Sequence, residues 1–134
     1  MKKTPLLATV GIFGILFALP GSAHHAFSAE FDANKPITLT GTITSVEWQN
    51  PHTWFYIDVK DEAGNVANWG FELASPNLLL RNGWTRNTIK AGDVVTVESF
   101  QAKNGKNIAN ARTVTLTATG QRLLGGASQA GRVQ

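Results

Sequence analysis

The residues best suited to chemistry in this chain are its three histidines, and they fall in two places: His24-His25 at the head of His-His-Ala-Phe, and His52 at the end of Asn-Pro-His. With no cysteine in 134 residues, disulfides, thiolate metal sites, iron–sulfur clusters and thiol nucleophiles are excluded. Any metal must therefore be held by His, Asp, Glu or main-chain nitrogen. What precedes the first pair matters. Lys2 and Lys3 lead into a fourteen-residue apolar run, Leu6 to Leu19, followed by Pro20-Gly21-Ser22-Ala23. A charged start, an apolar run of this length and a small-x-small end make up a secretory signal peptide. The run is shorter than the ~20 residues needed to span a bilayer. Residues 1–23 are thus expected to be cleaved, leaving a periplasmic product with no stable membrane anchor. Cleavage after Ala23 makes His24 the first residue, whose free α-amine and ring nitrogen can chelate one ion as a histidine brace. His52 is then a third nitrogen donor, His25 a further candidate, and Glu30 or Asp32 can add an oxygen. Nitrogen donors without thiolates suit Cu(II), which tops the affinity order of the divalent ions and prefers a tetragonal N/O set. An α-amine titrates close to neutral pH and is deprotonated at modest cost when metal binds. The expected ligand is a copper-type ion at His24, His25 and His52. The bland alternative is a solvated histidine pair and a His52 that caps a turn.

Charge removes one class of partner. The whole chain carries +3, with twelve Lys/Arg, but two of the twelve lie in the signal peptide. The remaining 111 residues hold ten Lys/Arg against nine Asp/Glu, a charge of +1. Nucleic acid needs a clustered basic face and is not expected. Aromatic residues suggest another partner. Trp54 and Tyr56 alternate against Phe55, Ile57 and Val59, so they share the face opposite the core, and Trp48 can join them. Such a face would present rings to a protein or glycan, unless Phe27 and Phe31 of the preceding arm cover it. Trp69 is in phase with Phe71 and Leu73 and belongs to the core. Asp58 and Glu72 share a face by strand phase and are the one pair that could serve as acid and base in glycoside hydrolysis. No cleft, nucleophile elbow or phosphate loop accompanies them. A non-enzymatic binding module is the expectation, with a scaffold or adaptor as the alternative.

These side chains need a frame. Residues 24–36 have no clear period and read as an N-terminal arm. From Ile37 alternate residues are apolar (Ile37, Leu39, Gly41, Ile43), and the phase then slips so that Val46 and Trp48 fall on the other face. A one-residue slip is what a β-bulge or sharp bend produces, and Gly41 permits close approach of backbone. Further strands are expected at 53–60, 66–73, 94–100 and 108–116, with turns at Asp61 to Asn65 and at Asn104-Gly105. Ser75 as N-cap, Pro76 at the first helical position and Gly83 as the stop define a short helix between the third and fourth strands. Five strands, the first bent, with this helix, match the order of a five-stranded OB-like Greek-key barrel over residues 37–117. A β-sandwich would need about seven strands. Residues 118–134, small and polar, read as a flexible tail.

Taken as a set, His24-His25-Ala26-Phe27 with Glu30-Phe31-Asp32, Gly41 with Val46-Glu47-Trp48, Asn50-Pro51-His52, Asn68-Trp69, Ser75-Pro76-Asn77, Leu80 to Trp84 and Ala91 to Val95 resemble a family of small exported bacterial proteins known as domain of unknown function 6152. The likeness runs over roughly residues 24–117. It implies a periplasmic OB-like β-barrel and carries no assigned activity or ligand.

Overall fold

The computed structural model describes residues 27–126. The expected signal peptide, His24, His25 and the last eight residues lie outside them. The described chain is all-β apart from short helical segments: residues 27–30 are helical and lead into β1 (Phe31–Glu47), followed by β2 (Trp54–Lys60), β3 (Val66–Glu72), α1 (Pro76–Arg81), β4 (Val94–Ala102), β5 (Ile108–Leu116) and β6 (Arg122–Leu124). Antiparallel pairings join β1 to β2 and β4, β2 to β3, β4 to β5, and β5 to β6, while β3 and β5 pair in parallel.

Alternation along β2, β3, β4 and β5 sends Phe55, Ile57, Phe71, Val95, Val97, Ala109, Ala111 and Val114 into one core with Ile43, Leu79 and Trp84. The Phe55 and Phe71 rings stack at 5.2 Å. Each of the Val, Leu, Ile and Phe side chains contributes about 1.5–3 kcal/mol by leaving water. β1 serves both halves because it bends. Its C-terminal part pairs with β2 through Thr42–Glu47 and its middle with β4 through Pro36–Thr42. The register slips between Ile43 and Ser45, where the hydrophobic phase does, so that Ile43 and Val46 both meet the core. At Gly41 a Cβ would lie 2.2 Å from the Asp58 carbonyl oxygen; glycine is what lets the two strands meet there. Helix α1 is capped as expected: the Ser75 side chain accepts the Leu78 N–H, Pro76 opens the helix, and Gly83 follows the Asn82 C-cap.

Two features differ from expectation. β1 begins at Phe31 rather than Ile37, because Phe31 pairs with Ala102 and is buried; the stretch 32–36, exposed from residue 33 on, breaks both register and period. The strands number six among the described residues, not five. β6 falls within the segment that reads as a tail. A turn at Gly120, whose N–H donates to the Leu116 carbonyl, folds it onto β5. Trp84 Nε1 then donates to the Leu124 carbonyl at 2.8 Å, and Arg122 reaches Glu98 at 2.6 Å.

Candidate functional site

His52 stands on the loop joining β1 to β2, two residues after the cis Asn50–Pro51 bond. The next residue anchors that loop: the Thr53 N–H donates to the Ala74 carbonyl and the Thr53 carbonyl accepts from Leu73 N–H. Thr53 is wholly buried. His52, one residue earlier, lies against the last residue of β3, with Nδ1 2.7 Å from Glu72 Oε1. The imidazole side chain is 41% exposed and the carboxylate side chain 12%. Burial pushes the Glu72 carboxyl above the usual carboxylate range, His52 opposes that shift, and the nearby Glu30 carboxylate reinforces it. Asn110, opposite Glu72 across the parallel β3–β5 pairing, donates Nδ2 to Oε1 at 3.4 Å. Its own Oδ1 is buried without a partner among the described residues.

The arm comes close to this pair. Lys103, just past the end of β4, donates its N–H to the Glu30 carbonyl and its Nζ to the Ser28 carbonyl. Phe27 packs on Phe31 and Phe100 at ring separations of 5.7 and 5.9 Å, and the Arg112 guanidinium lies over Phe100 at 5.3 Å. These contacts correct one expectation: Phe27 and Phe31 are held on the β4 side and do not stack on Trp54 or Tyr56. Asp32 is engaged locally, accepting the Asn34 N–H at 2.9 Å. Among the described residues no three His, Asp or Glu side chains are grouped to hold an ion; His24 and His25 lie outside them. What the described residues offer is one imidazole oriented by a carboxylate. A carboxylate bound at Nδ1 fixes ring and tautomer and leaves Nε2 as the donor to a metal.

The aromatic candidates separate. Trp48 packs on the edge of the core with Val46. Trp54 and Tyr56 stand half-exposed on the outer face of β2, opposite Glu72 and Gly70 of β3 and opposite Glu47 and Ser45 of β1. Burial, with the Glu47 carboxylate beside it, raises the Tyr56 phenol above its ordinary value. Asp58 is opposite Asn68, whose Nδ2 donates to it at 2.9 Å. Asp58 and Glu72 are therefore four positions apart along the pairing, about 13 Å at the usual rise, more than the ~9.5 Å upper limit for two carboxylates that act together on a glycosidic bond. Sequence reading missed Glu47, Gly70 and Asn110. Strand phase marks the first two, and a lone amide in the apolar run Ile-Ala-Asn-Ala marks the third.

Fold and site together define a small all-β protein with a carboxylate-backed histidine at one end and an open aromatic face beside it. The chain belongs to DUF6152, a family of unknown function, whose profile matches residues 15–111. No curated protein and no solved structure matches it.

Proposed function

We propose that this chain is an exported, periplasmic, non-enzymatic metal-binding module. A copper-type ion is held by His52 Nε2 together with the α-amine and ring of His24 in the cleaved chain, with His25 as a further donor. The observation that carries the reading is the 2.7 Å contact between His52 Nδ1 and the buried Glu72. Metal-binding histidines commonly have such a partner on the other ring nitrogen. The arm supports it as well: Ser28 and Glu30 are tied to Lys103, and Glu30 is near enough to act on Glu72. His24 precedes Phe27 by three residues, a reach of at most ~11 Å. The scaffold we read as an OB-like barrel. Pairings run β1–β2–β3–β5–β4 and return to β1, closed by the parallel β3–β5 join, with α1 between β3 and β4 and β6 appended to β5; a circuit of this order supports that reading.

Cu(II) titrated into protein whose amino terminus is His24, verified by mass, tests the proposal. One ion should bind per chain, and His52→Ala or one extra residue before His24 should each weaken it by roughly tenfold or more. Unchanged affinity in both variants would overturn the metal reading.

A further inference from the structure

A second surface adjoins the His52–Glu72 pair but needs no bound ion. Along β2, Trp54, Tyr56 and Asp58 alternate outward, while Phe55 and Ile57 between them are fully buried. Across the strand pair they meet Glu72, Gly70 and Asn68. The glycine has a definite consequence. A Cβ at Gly70 would come within 3.0 Å of Tyr56 Cε1 and 3.8 Å of Trp54 Cε3. Both rings therefore lean over the bare backbone of β3, and each stays only partly buried. Polar groups border them. Glu47 is opposite Trp54 on β1, and beyond Tyr56 the Asp58 carboxylate and Thr44 hydroxyl are bridged by Asn68 Nδ2 at 2.9 and 3.3 Å.

The character of that border selects the ligand. Its groups are carboxylates, an amide and hydroxyls, which accept hydrogen bonds from hydroxyl donors. The cation nearest along the strand is Lys60, beyond Asp58 at the end of β2. A polyanion needs a basic groove tracking its backbone, and this face has none. A pyranose chain has the matching form: apolar C–H faces that stack on rings and hydroxyls that donate to acceptors. Trp54 and Tyr56, two positions apart, are separated by about 6.7 Å along the strand, so successive sugar rings can engage them in turn. The geometry points to a platform for a neutral, extended oligosaccharide on the outer face of β2 and β3, stacked on Trp54 and Tyr56 and seated by Gly70.

The test uses the processed protein with a chelator present. It is titrated with cellohexaose and chitohexaose, with hexalysine and heparin as separate arms, followed by calorimetry and by the Trp54 indole N–H in NMR spectra. A neutral hexasaccharide should bind saturably, shift the Trp54 indole resonance and tolerate added salt. Trp54→Ala and Tyr56→Ala should each weaken it by about tenfold or more. Two results overturn the inference: neither hexasaccharide moves the Trp54 resonance in the unaltered protein, or hexalysine or heparin binds there instead. The indole measurement needs no variant, so a poorly folded Trp54→Ala does not spare the inference.

Discussion

Replacing Glu72 by Gln separates the stability of the site from its proposed chemistry. Glu72 is 9% exposed, receives Asn110 Nδ2 at 3.4 Å and faces His52 Nδ1 at 2.7 Å. Glutamine keeps an oxygen acceptor of the same reach and removes the charge. A charge-assisted bond worth about 2 kcal/mol becomes a neutral one worth about 1, while the desolvation of a buried carboxylate, of at least that size, disappears. Metal-free Glu72→Gln should therefore match the unaltered protein within about 1 kcal/mol at neutral pH. The sign of the pH dependence follows from burial holding the carboxyl above its ordinary 4.5. Stability contributed by Glu72 is full below that value and is lost as pH rises through its raised folded value, so the variant gains on the unaltered protein across that window. Copper affinity should move differently. Loss of the partner that orients a ligating imidazole costs roughly 10–100-fold, about 1.4–2.7 kcal/mol. Glu72→Ala is the contrast. His52 can rehydrate, but Asn110, 4% exposed, is stranded, and the fold should lose about 2–3 kcal/mol. Urea unfolding followed by tryptophan fluorescence, beside Cu(II) titration of each protein, reads both quantities. Unaltered copper affinity in Glu72→Gln, with the stability loss confined to Glu72→Ala, would make the pair purely structural and refute this reasoning.

The bend of β1 gives a second test. An alanine Cβ at Gly41 would lie 2.2 Å from the Asp58 oxygen and 2.9 Å from its carbonyl carbon, so β1 and β2 must part, at about 3 kcal/mol or more. Gly64→Ala, in open space at φ +86°, should cost only about 1 kcal/mol; equal costs in urea melts would count against the close-approach argument. For β6, Thr113 and Arg122 hold the Glu98 carboxyl below the usual carboxylate range. The stability it lends is present above 4.5 and fades as pH falls through the lowered value. The Gly125 amide, bonded to the Arg112 carbonyl at 2.8 Å, should lose hydrogen-exchange protection on acidification, and Glu98→Gln should abolish that pH dependence.

Local signals made much of the frame legible. The phase slip after Ile43 marked the bulge, Ser75-Pro76 and Gly83 marked the helix, and Asn104-Gly105 marked a hairpin, because each is written in adjacent residues. β6 was not legible: three residues with Leu123 and Leu124 amid polar neighbours carry no period, and the strand is held by Trp84 and Glu98, far away in sequence. Phe31 escaped for a similar reason, since its partner Ala102 lies across the sheet. At the site, phase put Glu72 on the outer face beside Trp54, which the pairing bears out. Its burial comes from Asn110 of β5 and from a loop whose path is fixed by bonds between Thr53, Leu73 and Ala74. No window along β3 contains any of those residues. Asp58 looked like its natural companion only because strand phase reports face and not distance.

The arm bears on how the proposed terminal ligand would be delivered. Ordering a free segment costs about 1–2 kcal/mol per residue in backbone entropy, so a donor at His24 delivered by an unanchored arm would lose much of what its bond contributes. Here residues 27–30 are already in place, through Phe27 on Phe31 and Phe100 and through Lys103 on Ser28 and Glu30. That anchoring takes roughly 4–8 kcal/mol of backbone ordering, four residues' worth, out of the cost of placing any donor upstream of Phe27. The same docking brings the Glu30 carboxylate near Glu72, adding negative charge beside the imidazole where a divalent cation would sit. In the proposed metal site Phe27 and Lys103 would hold the arm in place without binding the ion themselves.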